Sequence, residues 1–191
     1  MASHQVVGFR RKRQRKTDYR KRLKVLLSRK PRLVVRRTLN NTIVQIAEYG
    51  EEGDRIVAAA STKDLVKTGW KYSTGNAVSA YIIGIKVGRK GIANGIKEAI
   101  VDIGMQRPSL RIFSAVKGVR DAGITIPCKE SMLPKGGVVH GSLIKAYADF
   151  LKQKDVEKYK KQFSRYEREA LKMDDMEKYI EAVKNGIQHG K

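Results

Sequence analysis

Residues 33–61 read LVVRRTLNNTIVQIAEYGEEGDRIVAAAS, and this stretch decides the fold. Three runs rich in Val, Ile and Ala, at 33–38, 42–49 and 55–61, are separated by an Asn-Asn pair and by the segment GEEGD. β-branched runs between turn-forming residues are typical of strands, and connections this short join antiparallel neighbours. The stretch therefore predicts a three-stranded antiparallel meander.

Helix and strand patterns alternate after the meander. Small and apolar residues recur at helical spacing from Ala77 to Gly88, and a second such pattern lies between Pro108 and Gly123. The apolar run AIVDIG at 99–104 predicts a buried strand, and GITIP at 123–127 a short last strand. The order βββαβαβ predicts an α/β fold with a mixed sheet, helices packed on it and a ribonuclease-H-like architecture.

We divide the chain into a basic arm and junction at 1–29, an α/β core at 30–128, and a loop with a helical extension at 129–191. Amphipathic patterns in the extension indicate helices that dock on the core or on a partner. Their apolar stripes are Leu143, Tyr147, Phe150 and Leu151; Val156, Tyr159, Phe163 and Tyr166; and Met176, Tyr179, Ile180 and Val183.

The positive charge is concentrated in one segment. Residues 10–37 hold fifteen basic residues and one acid, whereas the whole chain has a net charge of +22. A run this dense repels itself, so we expect residues 1–16 to lack fixed structure until a polyanion neutralises them. Nucleic acid is the common polyanion, and Tyr19 within the run offers a stacking face for an unpaired base.

Several other classes of function are disfavoured by the residues that the chain lacks. Cys128 is the only cysteine, and the three histidines are dispersed, so neither a disulfide nor a zinc pattern is indicated. The longest apolar stretch, 77–87, is too short to span a bilayer, and no phosphate-binding loop motif occurs. We therefore expect no metal, cofactor or membrane association, and a cytoplasmic location.

Two more specific nucleic-acid functions are a ribonuclease-H-like nuclease and a KH-type RNA-binding loop. A ribonuclease-H-like nuclease needs converging carboxylates, but the first strand carries Arg36 and Arg37 where an acid would be needed. Asp102 is therefore expected to be structural. Gly88-Arg-Lys-Gly91 matches the GxxG loop of KH domains, a weak match that we interpret as a helix end presenting Arg89 and Lys90.

Six motifs resemble one ribosomal family. They are RQRKTDYRKRL at 13–23, KPRLVVRRT at 30–38, TGNAVSAYIIG at 74–84, VDIG at 101–104, DAGITIP at 121–127 and KKQFSRYE at 160–167. In this order they are similar to the archaeal and eukaryotic branch of the L18 family of large-subunit proteins, which bind 5S ribosomal RNA. The short stretch before the arm, and the lack of a long basic extension up to Lys191, favour the archaeal type.

The resemblance implies a non-enzymatic scaffold that grips 5S RNA and helps attach it to the central protuberance. It implies as partners 5S rRNA, large-subunit rRNA and neighbouring large-subunit proteins, including the other 5S-binding protein. Charge and resemblance together give the candidate RNA-binding residues Arg10, Arg11, Lys12, Arg13, Arg15, Lys16, Thr17, Tyr19, Arg20, Lys21, Arg22, Lys24, Arg36, Arg37, Trp70, Lys71, Arg89 and Lys90. Trp70 has a second interpretation, packing on the sheet. The alternative function is a regulatory RNA-binding protein acting outside the ribosome.

Overall fold

A computed structural model of the protein describes residues 7–171, together with Asp175, Glu177, Lys178, Ile180 and Glu181. The sheet strands are β1 (Arg32–Arg37), β2 (Thr42–Glu48), β3 (Arg55–Ser61) and β4 (Ile100–Asp102). The α-helices in the described ranges are α1 (Arg10–Arg13), α2 (Tyr19–Leu26), α3 (Lys63–Lys67), α4 (Ala77–Ala93), α5 (Leu110–Asp121), α6 (Gly136–His140), α7 (Ser142–Lys154) and α8 (Val156–Arg168).

The sheet is mixed and has the strand order β3-β2-β1-β4. β1, β2 and β3 form the predicted antiparallel meander, and β4 pairs in parallel with β1. The predicted α/β class and mixed sheet are thereby confirmed, while the likeness to a ribonuclease-H-like sheet stays a prediction.

The core lies between one face of the sheet and the helices α4 and α5. Alternate residues of β1 and β2, such as Leu33, Val35, Val44 and Ile46, are fully buried in it. α4 begins at an N-cap formed by Asn76, whose side chain accepts a hydrogen bond from the Ser79 amide.

α4 and α5 pack with their backbones in direct contact. A Cβ atom on Gly84 would lie 2.2 Å from the Ala115 carbonyl oxygen, and one on Gly118 would lie 2.2 Å from the Tyr81 carbonyl oxygen. Only glycine fits at these positions, because any side chain would overlap the opposing backbone. The small residues read from the sequence therefore set how closely the two helices approach.

The expected last strand at 123–127 is wrong. Within the described residues this segment makes one isolated parallel bridge, between Glu98 and Thr125. α5 ends at Asp121, and Gly123 follows with a φ of +112°, as expected of a helix stop. Ile124 and Ile126 are buried in the core, but Pro127 has no amide proton to extend the ladder. The order in the described core is therefore βββααβα.

The arm is also more regular than predicted, because it contains the helices α1 and α2. The Asp18 carboxylate caps α2 by accepting hydrogen bonds from the amides of Arg20 and Lys21. The rings of Phe9 and Tyr19 lie 5.0 Å apart between centroids. The cap of α2 and the aromatic pair are thus contacts within the arm that support its helical structure.

The C-terminal extension docks in part on the core. The Tyr166 hydroxyl accepts a hydrogen bond from the Ser73 amide (3.1 Å), and Ile180 is buried in the main core. In the first predicted stripe only Leu151 is buried, whereas Leu143, Tyr147 and Phe150 are exposed, so these three residues do not dock on the core and docking on a partner stays a prediction. The inward residue that replaces them is Ala148.

More of the second stripe is buried. Phe163 is buried, Tyr159 and Tyr166 are half-buried, and Val156 is exposed. In the third stripe Ile180 is described, while Met176, Tyr179 and Val183 lie outside the described residues.

Candidate nucleic-acid interface

A chain of ion pairs ties α2 to the sheet. Asp54, just before β3, pairs with Arg22 of α2 at 3.0 Å and with Arg32 of β1. Arg32 in turn pairs with Asp102 at the end of β4, at 3.1 Å. The Arg32 side chain is only 3% exposed, so its charge needs these two carboxylates. The network fixes the arm helix relative to the body.

The register of the sheet explains why Asp102 can hold two arginines. Val34 and Asp102 are direct partners in the parallel β1–β4 ladder, so Asp102 lies between Arg32 and Arg36, two residues to either side. Arg36 Nη2 lies 3.2 Å from Asp102 Oδ1, which also accepts the Gly104 amide proton at 2.8 Å. Both carboxylate oxygens are thus occupied by donors of this chain.

The same network lowers the pKa of Asp54. Burial of this carboxyl group favours its neutral form, but the hydrogen bonds and positive charges of Arg32 and Arg22 outweigh that effect and hold the pKa below its usual value. Asp54 is therefore ionised throughout the neutral range, and the arm-to-body tie is intact there.

A cleft of about 410 Å³ lies between α2 with its preceding residues and the end of β4. Its lining includes Lys16, Lys21 and Lys24 from the arm, and Val101 and Ile103 from the sheet side. The cleft is the place where the basic arm meets the body.

The cations of this surface have few acidic neighbours. In the described part of the chain, Lys16, Lys21 and Lys24 form no ion pair, and the one arm carboxylate, Asp18, is engaged in capping α2. Their charges are therefore available to an external anion. Phosphate groups are the anions that such an array of lysines binds most readily.

The arm candidates differ in exposure. Most are exposed, namely Arg10, Arg11, Lys12, Arg13, Arg15, Lys16, Arg20, Lys21 and Lys24. Thr17, Tyr19 and Arg22 are half-buried; the Thr17 hydroxyl accepts a hydrogen bond from Arg11 Nε at 2.9 Å, and Arg22 is engaged with Asp54. The structure therefore gives Arg22 a role within the chain that its charge alone did not reveal.

The candidates on the body are spread over different places. Arg36 lies at the floor of the cleft, held by Asp102, and Arg37 is exposed at the end of β1. Arg89 and Lys90 lie in the last turns of α4, half-buried and exposed respectively. They do not line the cleft, so the predicted residues do not all share one site.

Trp70 requires a correction. Its side chain is 2% exposed, it belongs to the main core, and its indole Nε1 donates a hydrogen bond to the Ser73 carbonyl oxygen at 3.2 Å. A ring buried in this way cannot stack on a base, so the interpretation that Trp70 packs on the sheet is the correct one. Lys71, next to it, is exposed.

Sequence reasoning missed Arg32, Asp54 and Arg111. The first two are the centre of the ion-pair network, and no local pattern joins residues so far apart in sequence. Arg111 donates hydrogen bonds to the carbonyl oxygens of Thr38 and Leu39 and lies close to Arg37. Burial and the nearby charge of Arg37 lower the pKa of Arg111. A second, smaller basic surface therefore lies at the far end of β1.

Two properties of the described residues concern metal ions and membranes. Among the residues that the structure describes, no cluster of three or more His, Cys, Asp or Glu side chains could hold a metal ion. In the same part of the chain no helix has the length and apolar character needed to cross a bilayer.

Comparison with known proteins identifies the family. The model of the family described as ribosomal large subunit proteins 60S L5 and 50S L18 matches residues 3–97. The chain is 42% identical over 183 residues to large ribosomal subunit protein uL18 of Methanococcus maripaludis, a match that covers 95% of this chain and 94% of the relative. Proteins of this family are structural components of the cytoplasmic ribosome and are not enzymes. The chain, with its basic arm fixed to a small α/β body, belongs to the L18 family of large-subunit ribosomal proteins and is of the archaeal type.

Proposed function

We propose that this protein binds 5S ribosomal RNA and helps attach it to the central protuberance of the large subunit. The mechanism is electrostatic clamping by the arm, supplemented by stacking and by shape contacts along the sheet side of the cleft. The observation that carries the proposal is the set of cations around the cleft, Lys16, Lys21 and Lys24, which have no carboxylate partner in the described chain.

The fixed position of the arm supports recognition of a folded RNA. A free polycation binds any nucleic acid of sufficient charge, because phosphate contacts carry no sequence information. Here Asp54 joins α2 to β1 through Arg22 and Arg32, so the cations of α2 have a defined spacing relative to the sheet. A rigid array of this kind favours one phosphate geometry over others.

The partners follow from the same proposal. A protein that holds 5S RNA on the subunit also contacts large-subunit rRNA and neighbouring proteins, among them the other 5S-binding protein. Regulatory RNA binding outside the ribosome is not favoured, because the family comprises ribosomal proteins.

The test is a binding titration of the full-length chain with 5S RNA and, as a competitor of similar size, a transfer RNA. We expect a preference for 5S RNA. If about 6–10 phosphates are neutralised, affinity falls by about 10³–10⁵ between about 50 and 200 mM salt, by analogy with duplex DNA. No preference for 5S RNA, or a nearly flat salt dependence, would contradict the proposal.

A matched pair of variants locates the binding surface. The triple variant Lys16→Gln, Lys21→Gln, Lys24→Gln removes three charges at the cleft, and Lys129→Gln, Lys160→Gln, Lys161→Gln removes three exposed charges elsewhere. Each lost phosphate contact reduces the salt slope by about one unit, so the first variant loses about three units and the second about none. Equal effects would show that net charge alone, not the arm, determines binding.

A further inference from the structure

The cleft between α2 and β4 has two chemically different kinds of lining residue. The half-buried apolar residues are Val25 from α2 and Val101 and Ile103 from the sheet side, and the basic residues include Lys21 and Lys24 of α2. A site for phosphate alone would need only cations, and a site for an apolar ligand would not need lysines. The combination matches a ligand with one flat apolar part and one anionic part.

The floor of the cleft does not repel such a ligand. Asp102 would place a negative charge there, but its carboxylate is neutralised by Arg32 and Arg36 and accepts the Gly104 amide proton. The carboxylate is therefore committed to donors of this chain. Asp18, the other carboxylate of the lining, caps α2, and the lining also carries Arg11, Lys16, Lys21, Arg22 and Lys24, so the cleft is positively charged.

The size of the cleft narrows the class of ligand. Its volume of about 410 Å³ falls within the range of small-molecule sites, roughly 300–1,000 Å³, and is far too small for a stacked helix. Proteins recognise RNA mainly at unpaired positions, where a base leaves the stack and lies against a protein surface. One nucleotide has the required size, apolar face and charge.

We propose that the cleft receives a single unstacked nucleotide of the bound RNA, with its base between Val25 and Ile103 and its phosphate at Lys21 and Lys24. This inference rests on the proposed function and adds to it a defined subsite, distinct from the general attraction of the arm for phosphate. An acidic peptide segment is the competing occupant, and it would leave RNA affinity independent of the cleft interior.

The first experiment fills the cleft without changing charge. Val25→Trp places an indole in the space for the base, and Leu23→Trp places the same ring on the exposed side of α2, outside the cleft. Loss of one stacked base weakens binding to 5S RNA by about 5- to 150-fold in the full-length protein. We expect this loss for Val25→Trp and no loss for Leu23→Trp.

The outcomes separate this inference from the proposed function. If wild-type protein prefers 5S RNA and Val25→Trp binds as tightly as Leu23→Trp, the nucleotide subsite is wrong and the proposed function stands. If wild-type protein shows no preference for 5S RNA, the proposed function itself fails.

A second experiment uses wild-type protein, so it does not depend on how a variant folds. Ultraviolet irradiation of the complex with 5S RNA, followed by digestion and mass spectrometry, should give a nucleotide adduct on the tryptic peptide 98–111, localised to residues 101–104. Adducts on the arm alone, with none at 101–104, would overturn the subsite.

Discussion

Arg32 and Asp102 are joined across the first and fourth strands by an ion pair of 3.1 Å between Nη1 and Oδ2. The pair links residues seventy positions apart and buries a guanidinium group that is only 3% exposed. The Asp102 carboxylate, which a nuclease would use to bind a metal ion, therefore has a structural role: it holds the arginines of β1 in place. The arm, the cleft and the body therefore depend on one set of charges.

Removing a carboxylate from this network should destabilise the fold. Asp102→Asn leaves Arg32 with Asp54 as its remaining partner, so we expect a loss of about 1–3 kcal/mol in the free energy of unfolding. The double variant with Asp54→Asn leaves the buried charge uncompensated and should lose more than the sum of the two single changes. Urea denaturation measures both.

Asp149→Asn is the control for that series. It removes an exposed carboxylate 3.9 Å from Lys152, a pair that we expect to contribute about 0–1 kcal/mol. Additive effects of Asp54→Asn and Asp102→Asn would contradict the idea that Arg32 depends on both.

The protein should not cleave RNA. Both oxygens of Asp102 are occupied by Arg32, Arg36 and the Gly104 amide, so the carboxylate has no free position for a metal ion. Incubation of the purified protein with structured RNA and Mg²⁺ or Mn²⁺ should leave the RNA intact on a denaturing gel. Cleavage that disappears in Asp102→Asn would show that Asp102 is a catalytic carboxylate.

Variants of Tyr19 and Lys16 distinguish the contribution of base stacking to RNA binding from that of charge. Tyr19 is half-buried against Phe9. If it also stacks on a base, Tyr19→Ala weakens RNA binding by about 1–3 kcal/mol without changing the salt slope. Lys16→Ala, at an exposed residue on the cleft, should reduce the salt slope by about one unit. Salt titrations of both variants against 5S RNA provide the comparison. Unchanged affinity for a folded Tyr19→Ala would mean that the arm acts as a polycation only.

Acid should weaken the tie between arm and body. Because the pKa of Asp54 is lower in the folded protein than in the unfolded chain, its stabilising contribution is complete above the usual value of about 3.8 and is lost as pH falls through the folded value. We expect wild-type stability to fall steeply below about pH 4 and that of Asp54→Asn to fall less. Urea denaturation across this pH range measures the free energy of unfolding of both proteins. If the two free energies fall in parallel with pH, Asp54 does not contribute to the acid sensitivity.

The contact between α4 and α5 should not tolerate a methyl group. Gly84→Ala places a Cβ atom 2.2 Å from the Ala115 carbonyl oxygen, and we expect a loss of about 1–3 kcal/mol or more on denaturation. Gly136→Ala is a suitable control, because the nearest atom to its Cβ would be 3.8 Å away. Equal stability of the two variants would contradict the close backbone packing.

The sequence by itself determined the meander, a helix over 77–88 and the location of the charge. Each depends on a local pattern, namely β-branched runs between turns, apolar residues at helical spacing and a dense basic segment. The motifs at 13–23 and 74–84 were specific enough to indicate the family, which the comparison confirmed.

The tertiary structure alone decided which of these residues meet. Strand register and neighbours distant in sequence decided three features. They are the burial of Trp70, the absence of a strand at 123–127, and the pairing of Arg32 with both Asp54 and Asp102. A charge pattern shows that lysines and arginines are numerous, but it does not show which of them are neutralised within the chain. Only the folded arrangement separates Arg22 and Arg36, which hold the molecule together, from Lys16, Lys21 and Lys24, which remain open to an anion.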